Sequence, residues 1–341
     1  MEKHQKKTGR ILGILCVAAI LVLGLGALVL QGAGGRKMLR KDQIVTVGQQ
    51  GDFVTISEAL AHLSKFSPVY QQEPVRCEVR ILSGTVIREQ VAVTEADLHY
   101  ITITSDDAVV PVESMGWDEN GLNYHDLRGD VAFIGGEDGA RLPVIGTVFQ
   151  LTQIGQRGAV GYFVNRNSQG AILPGCGFDG FYDGCIANNE SSIIMRDSVS
   201  RNMFRWGIHG RHNSEITARG ADLTGCGLAA YADRVADLDV RKADMKGSQL
   251  ALDSRNLSRV NANGCEIYYC SGTKGFIVYA EAGGEVNCTD PDIQYGNTHV
   301  FGVFKGGTIY AGNSKVVGVP EDKKAFSQEP NALTADGIIY Q

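Results

Sequence analysis

Apolar and polar residues alternate in a pattern that returns every 22 residues in the second half of the chain. The segments that start at Ile216, Leu238 and Val260 align without gaps, and each has apolar residues at its first, third, sixth and eighth positions. Two alternating apolar pairs with a one-residue break are typical of two short strands that meet at a bend. Such a short unit cannot bury its apolar face alone, so units must stack in parallel about 4.8 Å apart. The pattern therefore predicts a parallel β-helix.

The repeat becomes irregular on either side of this set. It restarts at Val286 after 26 residues and at Ile309 after 23, so we expect loop insertions there. At a strict 22-residue spacing Arg196 would share the inward column of Ala218, and an unpaired buried arginine costs too much free energy. We expect the segment 193–201 to slip by one residue, with a special partner for Arg196 as the alternative.

The region before the repeats contains short alternating segments around residues 45–47, 79–93 and 101–103, and residues 51–60 have the sequence GDFVTISEAL. Residues 44–104 resemble the opening of pectinesterase-like and other pectin-lyase-like proteins, which are right-handed parallel β-helices that mostly act on acidic polysaccharides. The resemblance implies an all-β, single-stranded, right-handed coil with a short helix capping its open end. Helical spacing of the apolar residues within 57–64 agrees with such a cap.

The first 41 residues differ from the rest of the chain. Residues 11–30 are an uncharged apolar run, long enough to cross a bilayer and too long for a typical signal-peptide core. We expect an uncleaved single-span anchor, with a cleaved signal peptide as the alternative. The predicted organisation is a cytoplasmic stub over 1–10, a transmembrane helix over 11–30, a basic linker over 31–43, the β-helix over 44–320 and a tail over 321–341.

Basic residues flank both ends of the predicted anchor equally, so the flanking charge does not decide its orientation. Because long domains translocate largely regardless of that charge, we place the body outside the cytoplasm, at the cell surface. Seven cysteines follow Cys16, an odd number that argues mildly against an oxidising compartment. Cys226, Ser248 and Cys270 fall in one column. The two thiols would be two coils apart, beyond disulfide reach, so we expect them reduced.

Charge excludes one class of partner. The chain has 32 Lys and Arg residues and 38 Asp and Glu residues, and residues 1–41 hold eight of the bases but a single acid. So acidic a body would repel phosphate backbones, and we expect no nucleic-acid binding.

The paired-aspartate segments of pectinesterases and the aspartate pair of polygalacturonases have no counterpart here, so neither activity is expected.

Stacking at 22 residues brings Asp222, Asp244 and Glu266 into one outward column. Three like charges about 4.8 Å apart repel one another, so something must neutralise them. Calcium is one solution, because it binds several carboxylate oxygens, and the resemblance to pectate-lyase-like proteins implies calcium that binds uronates. Neighbouring cations that form a salt-bridged surface are the alternative.

Beside a calcium ion, a basic side chain could take the proton in a β-elimination. The candidates for this catalytic base are Arg219, Arg241 and Lys246.

A second column contains His209, Tyr231 and Asp253, in a segment rich in groups that suit a sugar: aromatic faces and arginines. The candidate substrate-binding residues are Arg205, His209, Arg211, His212, Tyr231 and Asp253. Trp206 aligns with Leu228 and is expected in the core, and Arg211, Asp233 and Arg255 are expected to form a surface ladder of alternating charge.

These features predict a membrane-anchored, cell-surface β-helix protein that binds an acidic polysaccharide and could cleave it as a lyase. The alternative is a non-catalytic adhesin or phage-tail-like attachment module. A purely structural surface protein is a third hypothesis.

Overall fold

The computed structural model describes most of the chain after residue 35. The described residues are 36–68, 75–114, 131–154, 157–268, 270, 276–290, 292–294, 299–313, 315–317, 334–335 and 337–340. The predicted stub over 1–10 and the predicted anchor over 11–30 lie outside these residues. Among the residues that the structure describes, no helix is long and apolar enough to span a bilayer.

The described residues form short strands and one helix. In chain order they are β1 (Lys37–Leu39), β2 (Gln43–Val47), α1 (Ile56–Leu63), β3 (Phe66–Pro68), β4 (Cys77–Ile81), β5 (Val91–Thr94), β6 (Thr102–Ser105), β7 (Val109–Val112), β8 (Val131–Glu137), β9 (Val144–Ile145), β10 (Val148–Leu151), β11 (Ala159–Val164), β12 (Gln169–Ala171), β13 (Gly177–Asp179), β14 (Asp183–Ala187), β15 (Ser192–Ile194), β16 (Val199–Arg201), β17 (Trp206–Arg211), β18 (Glu215–Thr217), β19 (Leu228–Asp233), β20 (Asp237–Asp239), β21 (Leu250–Arg255), β22 (Arg259–Asn261), β23 (Glu266–Tyr268), β24 (Phe276–Glu281), β25 (Glu285–Asn287), β26 (Asp292–Gln294), β27 (His299–Phe304), β28 (Thr308–Tyr310), β29 (Lys315–Val317), β30 (Thr334–Ala335) and β31 (Ile338–Tyr340).

The strand pairings among these residues are parallel, and they build the predicted solenoid. Face A is the ten-stranded sheet from β5 to β30, and face B is the eight-stranded sheet from β12 to β31. Face C begins with β7, β10, β13 and β16 and continues through single-residue bridges to β23, β26 and β29. Each complete coil crosses face A, face B and face C in turn, which is a parallel β-helix.

The 22-residue repeat is confirmed as the vertical register of the coils. Ile216 pairs with Leu238 and Leu238 with Val260, and the next partners are Val286 and Ile309, as the longer spacings predicted. The predicted one-residue slip is also confirmed, because Ile193 pairs with Ile216 at a spacing of 23.

The slip has a direct consequence for two side chains. It turns Met195 into the core and leaves Arg196 exposed to solvent. Arg196 therefore needs no buried partner.

Short strands lie inside the predicted linker and inside the predicted tail. β1 lies inside the predicted linker 31–43 and pairs with β3, and its Leu39 is buried. At the other end, β30 and β31 lie inside the predicted tail 321–341 and pair with β27 and β28. Isolated strands of two or three residues carry too little periodicity to be recognised in the sequence.

The interior of the coil is packed with large rings in one half. Phe149 stacks on Phe178 with ring centroids 6.0 Å apart, and Phe178 also contacts Tyr162 and Phe181. All four side chains are fully buried. Truncating such a ring typically costs about 3–5 kcal/mol, so this aromatic stack anchors the coil.

The next coils replace these rings with small residues. Ala229, Ala230 and Ala251 are buried there, and Cys226 donates its backbone N–H to Ser248 Oγ at 3.1 Å in the predicted column. The seven described cysteines are all free, as expected for Cys226 and Cys270.

The predicted capping helix is confirmed as α1. Thr55 is its N-cap and forms a capping box with Glu58, and the buried residues Ile56, Leu60 and Leu63 face the coil. Glu89 accepts hydrogen bonds from the backbone N–H groups of Ile56 at 2.5 Å and of the next residue, at the positive end of the helix dipole. The helix thus covers the first open edge of the coil.

Candidate functional site

The outer side of face A carries aromatic rings in two groups, and two of these rings, His209 and Tyr279, are buried. Its strands are bulged so that two adjacent residues in each coil, such as Ala229 and Ala230, face the core, while Leu228 and Tyr231 on either side do not belong to it. This geometry repeats from coil to coil and aligns rings from neighbouring strands. We call this set of rings the aromatic band; it consists of Tyr182, Phe204, Trp206, His209, Tyr231, Phe276, Tyr279 and Phe304.

Ring contacts connect the first half of the band. Tyr182 stacks on Phe204 with centroids 5.2 Å apart, and Phe204 is exposed. Trp206 lies 4.1 Å from the His209 ring, and His209 stacks on Tyr231 at 4.4 Å and 18°. Such pairs contribute about 0.5–1.5 kcal/mol beyond their buried area, so the rings hold one another in place.

The second half of the band has the same construction two coils further on. Phe276 and Tyr279 stack at 4.3 Å and 9°, and Tyr279 lies 5.5 Å from Phe304. The band therefore extends along face A from β14 to β27, with Asp253 in place of a ring on β21.

Two arginines fill the gaps between the rings. Arg205 lies 3.8 Å from the Trp206 ring centroid and 4.8 Å from that of Tyr182, and Arg255 lies 5.0 Å from that of Tyr279. Each guanidinium is also held by a buried carboxylate. Arg205 pairs with Asp183 through two hydrogen bonds, one of 2.8 Å.

Arg255 pairs with Asp253 in the same way, through two hydrogen bonds of 2.8 Å. The carboxylate raises the pKa of Arg255 despite its partial burial. Both arginines therefore stay charged and in fixed positions, with their flat faces against aromatic rings.

His209 is the most constrained member of the band. Its side chain is 1% exposed, and neither ring nitrogen has a hydrogen-bond partner. Burial lowers the pKa of His209 well below its usual value near 6.5, and the positive charge of the arginines around it, Arg211 and Arg205 first, lowers it further. His209 is therefore neutral in the folded protein at physiological pH.

The predicted binding residues are only partly brought together. His209, Tyr231 and Asp253 do form one column, as predicted, and Arg205 joins them through Trp206. The expectation that Trp206 packs in the main core is wrong. It packs instead on a small separate cluster outside the coil, which consists of Ala132, Val160, Phe163 and Ile186.

The predicted charge ladder is also rearranged. Arg211 pairs in register with Asp233, as predicted. Arg255 does not bind Asp233; it binds Asp253 of its own strand and lies 3.6 Å from Glu281. Residues two apart in a strand point to the same side, so a local partner competes with the one in the next coil.

His212 lies apart from the band, in the turn that follows β17. Its Nδ1 atom is 2.7 Å from Asn188 Oδ1, and its Nε2 atom is 2.8 Å from Arg234 Nη1. His212 was predicted to act with His209, which precedes it by three residues. Both residues of the turn have positive φ, which separates His212 from the outer surface of face A.

The predicted carboxylate column exists on face C. Asp222 bridges to Asp244, and Asp244 to Glu266. Lys246 lies between the last two, 3.1 Å from Asp244 and 2.5 Å from Glu266.

Asp222 has a different partner. Arg201 contacts it at 3.2 Å and also contacts the buried Asp179 at 3.0 Å. Neighbouring cations thus offset the charge of the column, which is the alternative that we set beside calcium. Among the described residues, no group of three or more Asp, Glu, His or Cys side chains is arranged to hold a metal ion, and calcium binding at this column stays a prediction.

The predicted catalytic bases are all ion-paired. Arg219 and Arg241 both bind Asp239, at 2.5 Å and 2.9 Å. Hydrogen bonds that Lys246 donates to Glu266 and Asp244 raise the pKa of Lys246, and Asp239 raises that of Arg241. A general base needs the opposite shift, so this charge pairing favours a structural role for the three residues.

Comparisons with known proteins bear on the fold. No family model and no curated protein matches the chain. Among solved structures, the chain is similar to the pectin methylesterase from carrot, with 13% identity, a TM-score of 0.43 and coverage of 91% of this chain and 90% of that one. It is also similar to the pectin methylesterase from Aspergillus niger in a deglycosylated form, with 14% identity, a TM-score of 0.42 and coverage of 89% and 92%.

Proposed function

We propose that this protein binds a glycan chain along the outer surface of face A and does not cleave it. The observation that carries the proposal is the aromatic band, a row of rings and arginine planes that follows the long axis of the coil. Sugar rings have apolar faces that stack on aromatic side chains, and their hydroxyls accept hydrogen bonds from arginine. Ring groups that are distributed over several coils, with the Arg255 plane between them, fit an extended ligand better than a single small molecule.

The charge around the band supports an acidic glycan as the ligand. Two arginines of face A and its edge, Arg211 and Arg205, lie close enough to His209 to lower its pKa. A surface with that potential attracts carboxylates, although Asp183 and Asp253 offset part of it. We therefore propose a uronate-containing polysaccharide over a neutral one.

The chemistry of the charged residues supports binding over cleavage. The basic residues considered as catalysts are all paired with carboxylates, and Lys246 carries a raised pKa. The chain thus fits the non-catalytic attachment module better than the lyase.

The binding test uses the purified chain and gels that contain polygalacturonate or, as a neutral control, dextran. We expect polygalacturonate to retard the chain. Tyr231→Ala should weaken this binding by about 2- to 10-fold, the loss of one stacked ring. Tyr310→Ala is the matched control, because Tyr310 stacks on Tyr340 at 5.0 Å on face B, away from the band. Equal binding by both variants would contradict the proposal.

The same samples test for cleavage. Polygalacturonate is incubated with and without calcium, and ultraviolet absorbance reports any unsaturated product. We expect none. Calcium-dependent product that disappears in Asp244→Ala would instead establish the lyase and the predicted calcium site on face C.

We also propose that residues 11–30 anchor the protein in a membrane with the β-helix outside the cytoplasm, as the apolar run predicts. Protease added to intact cells should digest the body. A body that is protected until the membrane is opened would contradict this placement.

A further inference from the structure

A shallow groove that is open to solvent runs along the ridge between faces A and B, separate from the aromatic band. It has a volume of about 700 Å³ and is formed by consecutive two-residue turns. Both residues of each turn have positive φ. The lining includes Arg166, Asn189, Glu190, His212, Asn213 and Arg234. The volume is in the range of small-ligand sites, and most lining groups are hydrogen-bond donors.

The contacts of His212 define its protonation state. Arginine can only donate, so the 2.8 Å contact from Arg234 Nη1 requires a lone pair on His212 Nε2. The other ring nitrogen, Nδ1, then carries the proton and donates to Asn188 Oδ1 at 2.7 Å. The two contacts therefore fit a neutral His212 in its Nδ1–H tautomer.

This pair is the end of a longer chain of hydrogen bonds. Asn188 Nδ2 donates to Asn165 Oδ1 at 3.2 Å, and Asn165 Nδ2 donates to Glu137 Oε1 at 2.9 Å. Every bond from Arg234 to Glu137 thus has the same direction, with a cation at one end and a carboxylate at the other. Such chains are cooperative, so a change at His212 affects each member.

We propose that the groove is an anion-binding site that protonation of His212 activates, and that its ligand is an oxyanion such as sulfate or a sugar carboxylate. A proton on Nε2 turns the contact with Arg234 from a hydrogen bond into a repulsion between two cations. An oxyanion placed between them accepts a hydrogen bond from each and removes that repulsion. The site goes beyond the proposed function, because it lies on the turn ridge and not on face A.

The other charged groups around His212 are consistent with this role. Its own strand contributes Arg211 and the neutral His209, the preceding turn contributes Glu190, and the turn before that contributes Arg166. On the following strand Asp233 lies 3.6 Å from Arg234. This ion pair keeps Arg234 beside the groove when its bond to His212 is lost.

The first test measures the tautomer of His212 by NMR of the purified chain labelled with ¹⁵N-histidine, with the signal assigned by its loss in His212→Gln. At about pH 8 we expect Nδ1 protonated and Nε2 unprotonated. A protonated Nε2 at that pH would overturn the proposal.

The second test measures sulfate binding by NMR titration at about pH 5.5 and about pH 8, with chloride balancing the ionic strength. We expect sulfate to bind about tenfold more tightly at the lower pH, the effect of one added charge-assisted hydrogen bond, and to raise the pKa of His212. His212→Gln should remove the pH dependence, and Arg234→Gln should weaken binding at both pH values. His99→Gln, an exposed histidine away from the groove, should change neither.

Parallel titrations identify the source of the anion. Binding of sulfate but not glucuronate indicates a free oxyanion, binding of both indicates a site that also takes sugar carboxylates, and glucose is the neutral control. Sulfate binding that is absent, independent of pH or unchanged in His212→Gln would overturn the proposal.

Discussion

The buried, unpartnered His209 predicts a specific pH dependence of stability. Its pKa in the folded protein lies well below the usual value near 6.5, mainly because of burial. In the unfolded chain the imidazole returns to that usual value and binds a proton as the pH falls below it. The unfolded state then binds more protons than the folded one, so stability decreases as the pH drops. One proton corresponds to about 1.4 kcal/mol per pH unit, or about 2 kcal/mol between pH 6.5 and pH 5.

The variant His209→Phe isolates this contribution. Phenylalanine keeps a ring between Trp206 and Tyr231 and removes two nitrogens that have no partner. We therefore expect the variant to fold and to become more stable relative to wild type as the pH falls. Urea unfolding followed by circular dichroism, at several values between about pH 5 and 7.5, measures the free energy of unfolding. The difference in the free energy of unfolding between variant and wild type should grow by about 2 kcal/mol towards pH 5. His62→Phe, a half-buried histidine on α1, is the control. A constant difference across this range would refute the reasoning.

Two further predictions concern charge pairing and thiols. Arg201→Met leaves the buried Asp179 without its arginine and should lower the free energy of unfolding by about 3 kcal/mol, whereas Arg219→Met, which removes a surface pair, should cost less than about 1 kcal/mol. Equal losses in urea unfolding would contradict this. Among the described cysteines, half-buried Cys176 should react first with a thiol reagent in the folded protein, and Cys176→Ser should remove that fast reaction, because the other six are buried. Fast labelling that survives this substitution at a buried thiol would contradict the packing.

The sequence was sufficient to predict the coil because the stacking of coils requires apolar residues to recur at a regular spacing. Ile216, Leu238 and Val260 must share one column, and any two of them are separated by whole coils. The slip near Arg196 was predictable for the same reason, because a buried arginine would be intolerable. The terminal strand β31 has no such repetition on both sides, so its inclusion in the coil depends on tertiary pairing that the sequence does not display.

The aromatic band was predictable only in part. His209 and Tyr231 are one regular coil apart, so they were found, but Phe276 follows its partner position Leu250 by 26 residues. The place of Phe276 in the band could have been predicted by extending the strand register, in which Leu252 pairs with Val278. The contact between Tyr182 and Arg205 could not have been predicted, because it joins adjacent columns. The bulges that set the distance between columns leave no signal in the sequence.

Local pairing explains why the predicted chemistry on face C and the observed contacts diverge. Stacking in successive coils, about 4.8 Å apart, predicts repulsion among Asp222, Asp244 and Glu266. In a strand, residues two apart also lie on the same side, and Lys246 uses this geometry to reach Asp244 while it contacts Glu266 in the next coil. A carboxylate that has a cation in its own strand has less need of a metal ion. The same rule neutralises Asp253 through Arg255 on face A, so a ligand there meets fixed arginine planes and aromatic rings instead of unpaired charge.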